Sequence, residues 1–99
     1  MRTRTSGTPT PLTPVLGTIT TGGTAQTVFA ANPLRSYLLI QNTSPNLMML
    51  TLTGSTPSAT VGIALPQYAG YEASSAVPNG PIQVWSATTG STFHAVQGS

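Results

Sequence analysis

Apolar and polar positions alternate along most of this chain in short runs, and each run is cut off by glycine, proline or asparagine. A period of two is the mark of half-buried β-strands, and nowhere does a 3.6-residue period persist long enough for a helix. The longest apolar run, Arg35-Ser36-Tyr37-Leu38-Leu39-Ile40-Gln41-Asn42-Thr43-Ser44, lies between Asn32-Pro33 and Ser44-Pro45-Asn46. It predicts a central strand with Leu38 and Ile40 on one face and Tyr37, Leu39 and Gln41 on the other. A strand with apolar groups on both faces belongs in the middle of a sandwich, or between a core and a partner subunit.

Other runs follow the same logic. Thr18 to Thr21 and Thr24 to Ala30 flank Gly22-Gly23 and predict a hairpin, with Val28 and Ala30 on one face and Thr27 and Phe29 on the other. Leu47 to Thr53 predicts a strand that pairs antiparallel with the central one and lines a face with Met48, Leu50 and Leu52. Ser58 to Leu65 predicts another through the alternation of Val61, Ile63 and Leu65, with Pro66 as its stop. Gln67 to Glu72, Ile82 to Trp85 and Ser91 to Val96 complete the set. Short strands at regular spacing with Gly/Pro turns predict an all-β fold, a small antiparallel β-sandwich of jelly-roll or Ig-like type. Leu38, Ile40, Leu50, Ile63, Val84 and Phe93 are the expected core.

The first seventeen residues read differently. Pro9, Pro11 and Pro14 deny Met1 to Gly17 the regular hydrogen bonds of a ladder and bias it to extended, polyproline-like geometry. The expected organisation is therefore an arm over residues 1–17 and a sandwich domain over 18–99. In the isolated protein such an arm is expected to be a disordered tail; the alternative is an arm that orders against a neighbouring subunit, with Leu12, Val15 and Leu16 as apolar contacts and Arg2 and Arg4 facing acidic groups. These five residues form the candidate partner-binding set.

Composition sharpens that picture. A chain of 99 residues and 10.1 kDa has room for one core. Surface scaling has it burying about two-thirds of its unfolded surface. Ordering the backbone costs roughly 1–2 kcal/mol per residue, and with no cysteine no disulfide restricts the unfolded state. Further burial against other subunits is the expected remedy. Only 4% of residues are charged, against about a quarter in an average soluble domain. They are Arg2, Arg4, Arg35 and Glu72, so polarity comes from hydroxyls and amides, and neighbouring copies repel one another little. No nucleic-acid partner is implied, because phosphate neutralisation needs several basic side chains on one face and the chain has no lysine. No membrane partner is implied either: no run approaches the roughly 20 apolar residues of a span, and no signal-like apolar stretch opens the chain.

The inventory also argues against catalysis, so the chain reads as no enzyme and implies no cofactor. Glu72 is the only acidic residue and His94 the only histidine, so there is no carboxylate pair and no zinc ligand set. No Gly-x-Ser-x-Gly elbow supports a Ser-His-Glu triad. Arg35 and Glu72 are expected to pair weakly on the surface, by about 0–1 kcal/mol. His94 should point out if Phe93 points in, and Trp85 should be a buried or interface aromatic.

With that order laid out, Thr18-Ile19-Thr20, Ala25-Gln26, Phe29, Asn32-Pro33, the Arg35 to Ser44 run, Leu65-Pro66, Gly70-Tyr71-Glu72 and Gly80-Pro81-Ile82-Gln83-Val84-Trp85 resemble small virion proteins of tailed bacteriophages. The resemblance covers about Thr18 to Val96. It implies a structural role in the virion, with synthesis in the host cytoplasm. A capsid decoration or cement protein, a homo-oligomer and by analogy a trimer, would bind the major capsid protein or another virion subunit. The alternative it implies is a host-binding module on a head fibre or tail, recognising a glycan or protein through Trp85, Tyr68 and Tyr71.

Overall fold

The strand predicted at the centre is at the centre. In a computed structural model that describes residues 12–99, β3 (Tyr37–Asn42) alternates half-buried and buried positions along its whole length. Leu38, Ile40 and Asn42 face inward with no exposed surface, while Tyr37, Leu39 and Gln41 face the other way. β3 bonds on both sides, to β8 (Thr92–Gly98) and to β6 (Gly70–Ala73). β1 (Leu12–Thr18) pairs with the far side of β8, giving a sheet of order β1-β8-β3-β6. Facing it is a second sheet, β2-β7-β4-β5, built from β2 (Gln26–Phe29), β7 (Ile82–Trp85), β4 (Met48–Thr51) and β5 (Ile63–Leu65).

The antiparallel pairs β1–β8, β2–β7, β3–β6 and β4–β5 are nested, as in one long ribbon folded back at the β4–β5 connection and rolled into two layers. That arrangement is a jelly roll, the first of the two sandwich types expected. Its core lies between the layers. Leu38, Ile40, Ala73, Phe93 and Ala95 from one sheet meet Phe29, Met48, Leu50, Leu65, Ile82 and Val84 from the other, with Ile19 closing the side.

Several expectations are corrected. Gly22-Gly23 does not close a hairpin, because β1 and β2 belong to opposite sheets; the turn carries the chain across the sandwich. Gly22 has to be a glycine there, since a Cβ would lie 2.5 Å from the Ala87 carbonyl oxygen. Likewise β3 and β4 do not pair, and Thr43 to Leu47 crosses between layers. Among successive described strands, only β4 and β5 are partners. On β2, the register with β7 shifts between Thr27 and Phe29, so Val28 bulges and Phe29 turns to the core, away from the face of Thr27. The strand predicted from Ser58 shortens to Ile63–Leu65, with Ser58 and Val61 closing a tight bridge before it. Ile63 is consequently no core residue. It lies on an edge strand and keeps 42% of its surface exposed.

The largest correction concerns the arm. Residues 1–11 lie outside the described residues, but Leu12 to Gly17, expected to stay unpaired, form β1 and pair with β8 over their full length, in register from Leu12↔Gly98 to Thr18↔Thr92. Pro14 is compatible with this because of where its missing N–H falls. Ile19 N–H donates to Ser91 O (2.8 Å), whereas Thr43 N–H on the β3 side donates to Thr92 O (3.2 Å). Ladder bonds alternate residue by residue, so Thr13, Val15 and Gly17 turn their N–H groups to β8 and Pro14 turns its ring nitrogen to the free edge. Gly17 sits opposite Phe93, whose ring fills the space a side chain would need: a Cβ would be 2.4 Å from Cζ.

Candidate functional site

The outer face of the β1-β8-β3-β6 sheet is the surface that stands out. Its registers set residues in rows across four strands. One row reads Leu16, His94, Gln41, Gly70, and the next reads Pro14, Val96, Leu39, Glu72, with Leu12, Gly98 and Tyr37 beyond. Leu16 is 84% exposed and Leu12 58%, while Val96, Leu39 and Tyr37 are half-buried. A hollow of about 510 Å³ lies between Leu12, Ser36, Tyr37 and Val96. Alternation on a sandwich strand normally turns polar groups outward, yet this face turns out leucine, proline, valine and tyrosine. Its one formal charge among the described residues, Glu72, accepts a hydrogen bond from the Tyr37 hydroxyl (Oε2, 2.7 Å). That bond, partial burial and the carboxylate's charge, in that order, push the Tyr37 phenol above its ordinary value.

The candidate partner-binding residues are thus divided by the fold. Leu12 and Leu16 share the outer face. Val15, between them, points inward and packs against the core. Arg2 and Arg4 lie outside the described residues.

Two polar anchors hold β3, and with it this face, in place. At its start Arg35 does not pair with Glu72. It is buried, with 6% of its surface exposed, and its guanidinium donates Nε to Gln97 Oε1 (2.9 Å), Nη1 to Pro78 O (2.7 Å) and Gly80 O (3.0 Å), and Nη2 to Ala30 O (2.9 Å). Arginine's planar fork reaches four acceptors on three separate segments, where a surface pair would have used it on one. Burial pulls its pKa below the ordinary value. At the other end Asn42, fully buried, uses its whole side-chain capacity. Nδ2 donates to Asn46 O and Leu65 O (both 2.7 Å), and Oδ1 accepts from Ser44 N–H (2.9 Å) and Ser44 Oγ (2.8 Å). It thereby ties the crossing loop after β3 to the end of β5. Asn46 continues the network by donating Nδ2 to Ser91 Oγ (3.2 Å), which donates in turn to Thr88 O (2.9 Å). No periodicity announces these roles; a polar residue at an inward position of an apolar strand, as Asn42 is, was the available signal.

The remaining candidates do not converge. Trp85 stands on the outer face of the other sheet beside Met49 and lines a groove of about 260 Å³ with Leu47, Ala59 and Thr88. Tyr71 points inward and packs against the core. Tyr68 is an exposed loop residue with φ of 65°, held in that left-handed conformation by its N–H bond to Asn42 O (2.7 Å) and the Gln41 Nε2 bond to its carbonyl (3.2 Å). His94 faces outward as expected, opposite Gln41. It shares the face with Glu72 but not a row.

These features define a jelly-roll β-sandwich with apolar side chains on the outer face of its β1-β8-β3-β6 sheet. No family profile, curated protein or solved structure matches the chain.

Proposed function

We propose that this chain is a structural protein of a tailed-bacteriophage virion, a capsid decoration or cement protein. It would act there as a homo-oligomer, bridging and stabilising shell subunits by buried area and no chemical step. The observation that carries the reading is the outer face of β1-β8-β3-β6, which turns Leu12, Pro14, Leu16, Leu39 and Val96 outward with a single carboxylate at its edge, on a sandwich anchored at both ends of its central strand. A face of that kind gains by being covered. The partner is the major capsid protein or another virion subunit, with Arg2 and Arg4 of residues 1–11 as the tether to it, while the outer face is where copies of the chain meet.

The host-binding alternative is less well supported, because Trp85 lies on the other sheet, Tyr68 on an exposed loop and Tyr71 packs inward, so they form no common platform. The test is the copy number of this chain in purified particles. A number comparable to that of the shell protein is the expected result, and a handful of copies would assign it to a fibre or tail. A truncation used to probe the tether must stop at residue 11, since removing Leu12 to Leu16 takes away most of β1 and uncovers β8.

A further inference from the structure

We infer that the outer face of β1-β8-β3-β6 seats a second copy of this chain, in a face-to-face pair whose twofold axis runs along the strands between β8 and β3. The pairing rests on the assembly reading above and names its contact.

The first argument is the weakness of the other route. Exposed sheet edges associate by adding strands, and among the described residues β1 is the longest edge, but Pro14 turns its ring nitrogen outward and removes a donor from the middle of it. That edge is a poor site for strand addition, and the face beside it is the broader surface. The second argument is complementarity along the rows. A twofold axis parallel to the strands reverses each row, so Leu16 lies over the partner's Gly70 and His94 over the partner's Gln41. In the next row Val96 lies over the partner's Leu39. The most protruding side chain of the face, Leu16, thus meets the position that carries no side chain, and the apolar pair meets at the axis. An axis across the strands would instead stack Leu16 on the partner's Leu16 and leave both Gly70 positions empty.

The third argument is charge. An isologous contact sets like against like near its axis, which a neutral face tolerates and a charged one does not. Here the single carboxylate, Glu72, lies on the edge strand, away from the axis. Reversal of the rows brings the β1 side of one copy over the partner's Glu72. Four strands about 4.8 Å apart and up to seven residues long cover at most about 440 Å² in projection. Counted over both copies this is about 880 Å², under the roughly 1,000 Å² that a stable interface clears, so the expected pair is weak and exchanges with the monomer.

Sedimentation equilibrium of the full chain from low to high micromolar concentration tests this, with Leu16→Lys and, as a control in the bridge that precedes β5, Val61→Lys, which is also exposed. The expected result is reversible formation of twice the 10.1 kDa chain mass, weakened tenfold or more by Leu16→Lys and unchanged by Val61→Lys. Unaltered thermal melts will show that both variants fold. A single-chain mass throughout, a three-chain mass, or equal effects of the two substitutions overturns the pairing. A monomer that still decorates particles would sink the pair and leave the virion role. A dimer absent from particles would do the reverse.

Discussion

Replacing Arg35 by lysine keeps the charge and tests whether the guanidinium's shape holds the fold. The native side chain bonds Gln97, Pro78, Gly80 and Ala30 with three nitrogens pointing in different directions. A lysine ammonium is a single point and reaches two of these at most. Two charge-assisted hydrogen bonds are lost, at about 1.5–3 kcal/mol each. Ala30 is exposed and Pro78 and Gly80 half-buried, so water replaces part of the loss and the low end applies, about 3 kcal/mol. Total stability for a chain of this size is about 5–15 kcal/mol, and 1 kcal/mol moves the melting temperature of such a domain by roughly 4–8 °C. Calorimetry should therefore show Arg35→Lys melting about 12–24 °C below the parent. Urea denaturation followed by Trp85 fluorescence should show the same loss with an unchanged slope. A shift under about 4 °C, less than 1 kcal/mol, would mean that the turn carbonyls are satisfied by water and that Arg35 is no anchor.

Three further outcomes are expected. Gly17→Ala drives a methyl into the Phe93 ring and should destabilise by about 1–3 kcal/mol, with much of the loss recovered in the double variant Gly17→Ala/Phe93→Leu; additive losses in that cycle would place the strain elsewhere. Asn42→Leu removes the side-chain partners of the Leu65 carbonyl and the Ser44 N–H in a buried loop, while the Ser44 hydroxyl still serves the Asn46 carbonyl, so a loss of at least about 2 kcal/mol in urea is expected, and a variant as stable as the parent would refute the clamp. Ultraviolet titration should show Tyr37 ionising above the ordinary value near 10, and Glu72→Ala, which removes both the acceptor and the charge, should lower it. Because folding raises this pKa, the contribution to stability is complete below the ordinary value and is lost as pH rises through the folded one.

Strand positions were legible in the sequence because alternation and turn residues act locally. Leu38 and Ile40 are buried wherever β3 pairs, so its inner face could be read from the run itself. Which strand each one bonds to was not legible. Gly22-Gly23 and Ser44-Pro45-Asn46 reverse the chain in either case, and a reversal within one sheet uses the same residues as a crossing to the other. Pro14 misled for a related reason: a proline forbids a ladder bond on one side of a strand only, and whether that side faces a neighbour or the free edge depends on β8, eighty residues away in the chain. Arg35 and Asn42 likewise show their roles only once distant carbonyls are brought around them. The sequence by itself determined an all-β sandwich and a chain almost without charge, since these follow from composition and local period. Tertiary structure alone decided the nested jelly-roll pairing, the division of Leu12, Val15 and Leu16 between two faces, and the apolar outer sheet, because register between strands far apart in the chain sets which side chains share a face.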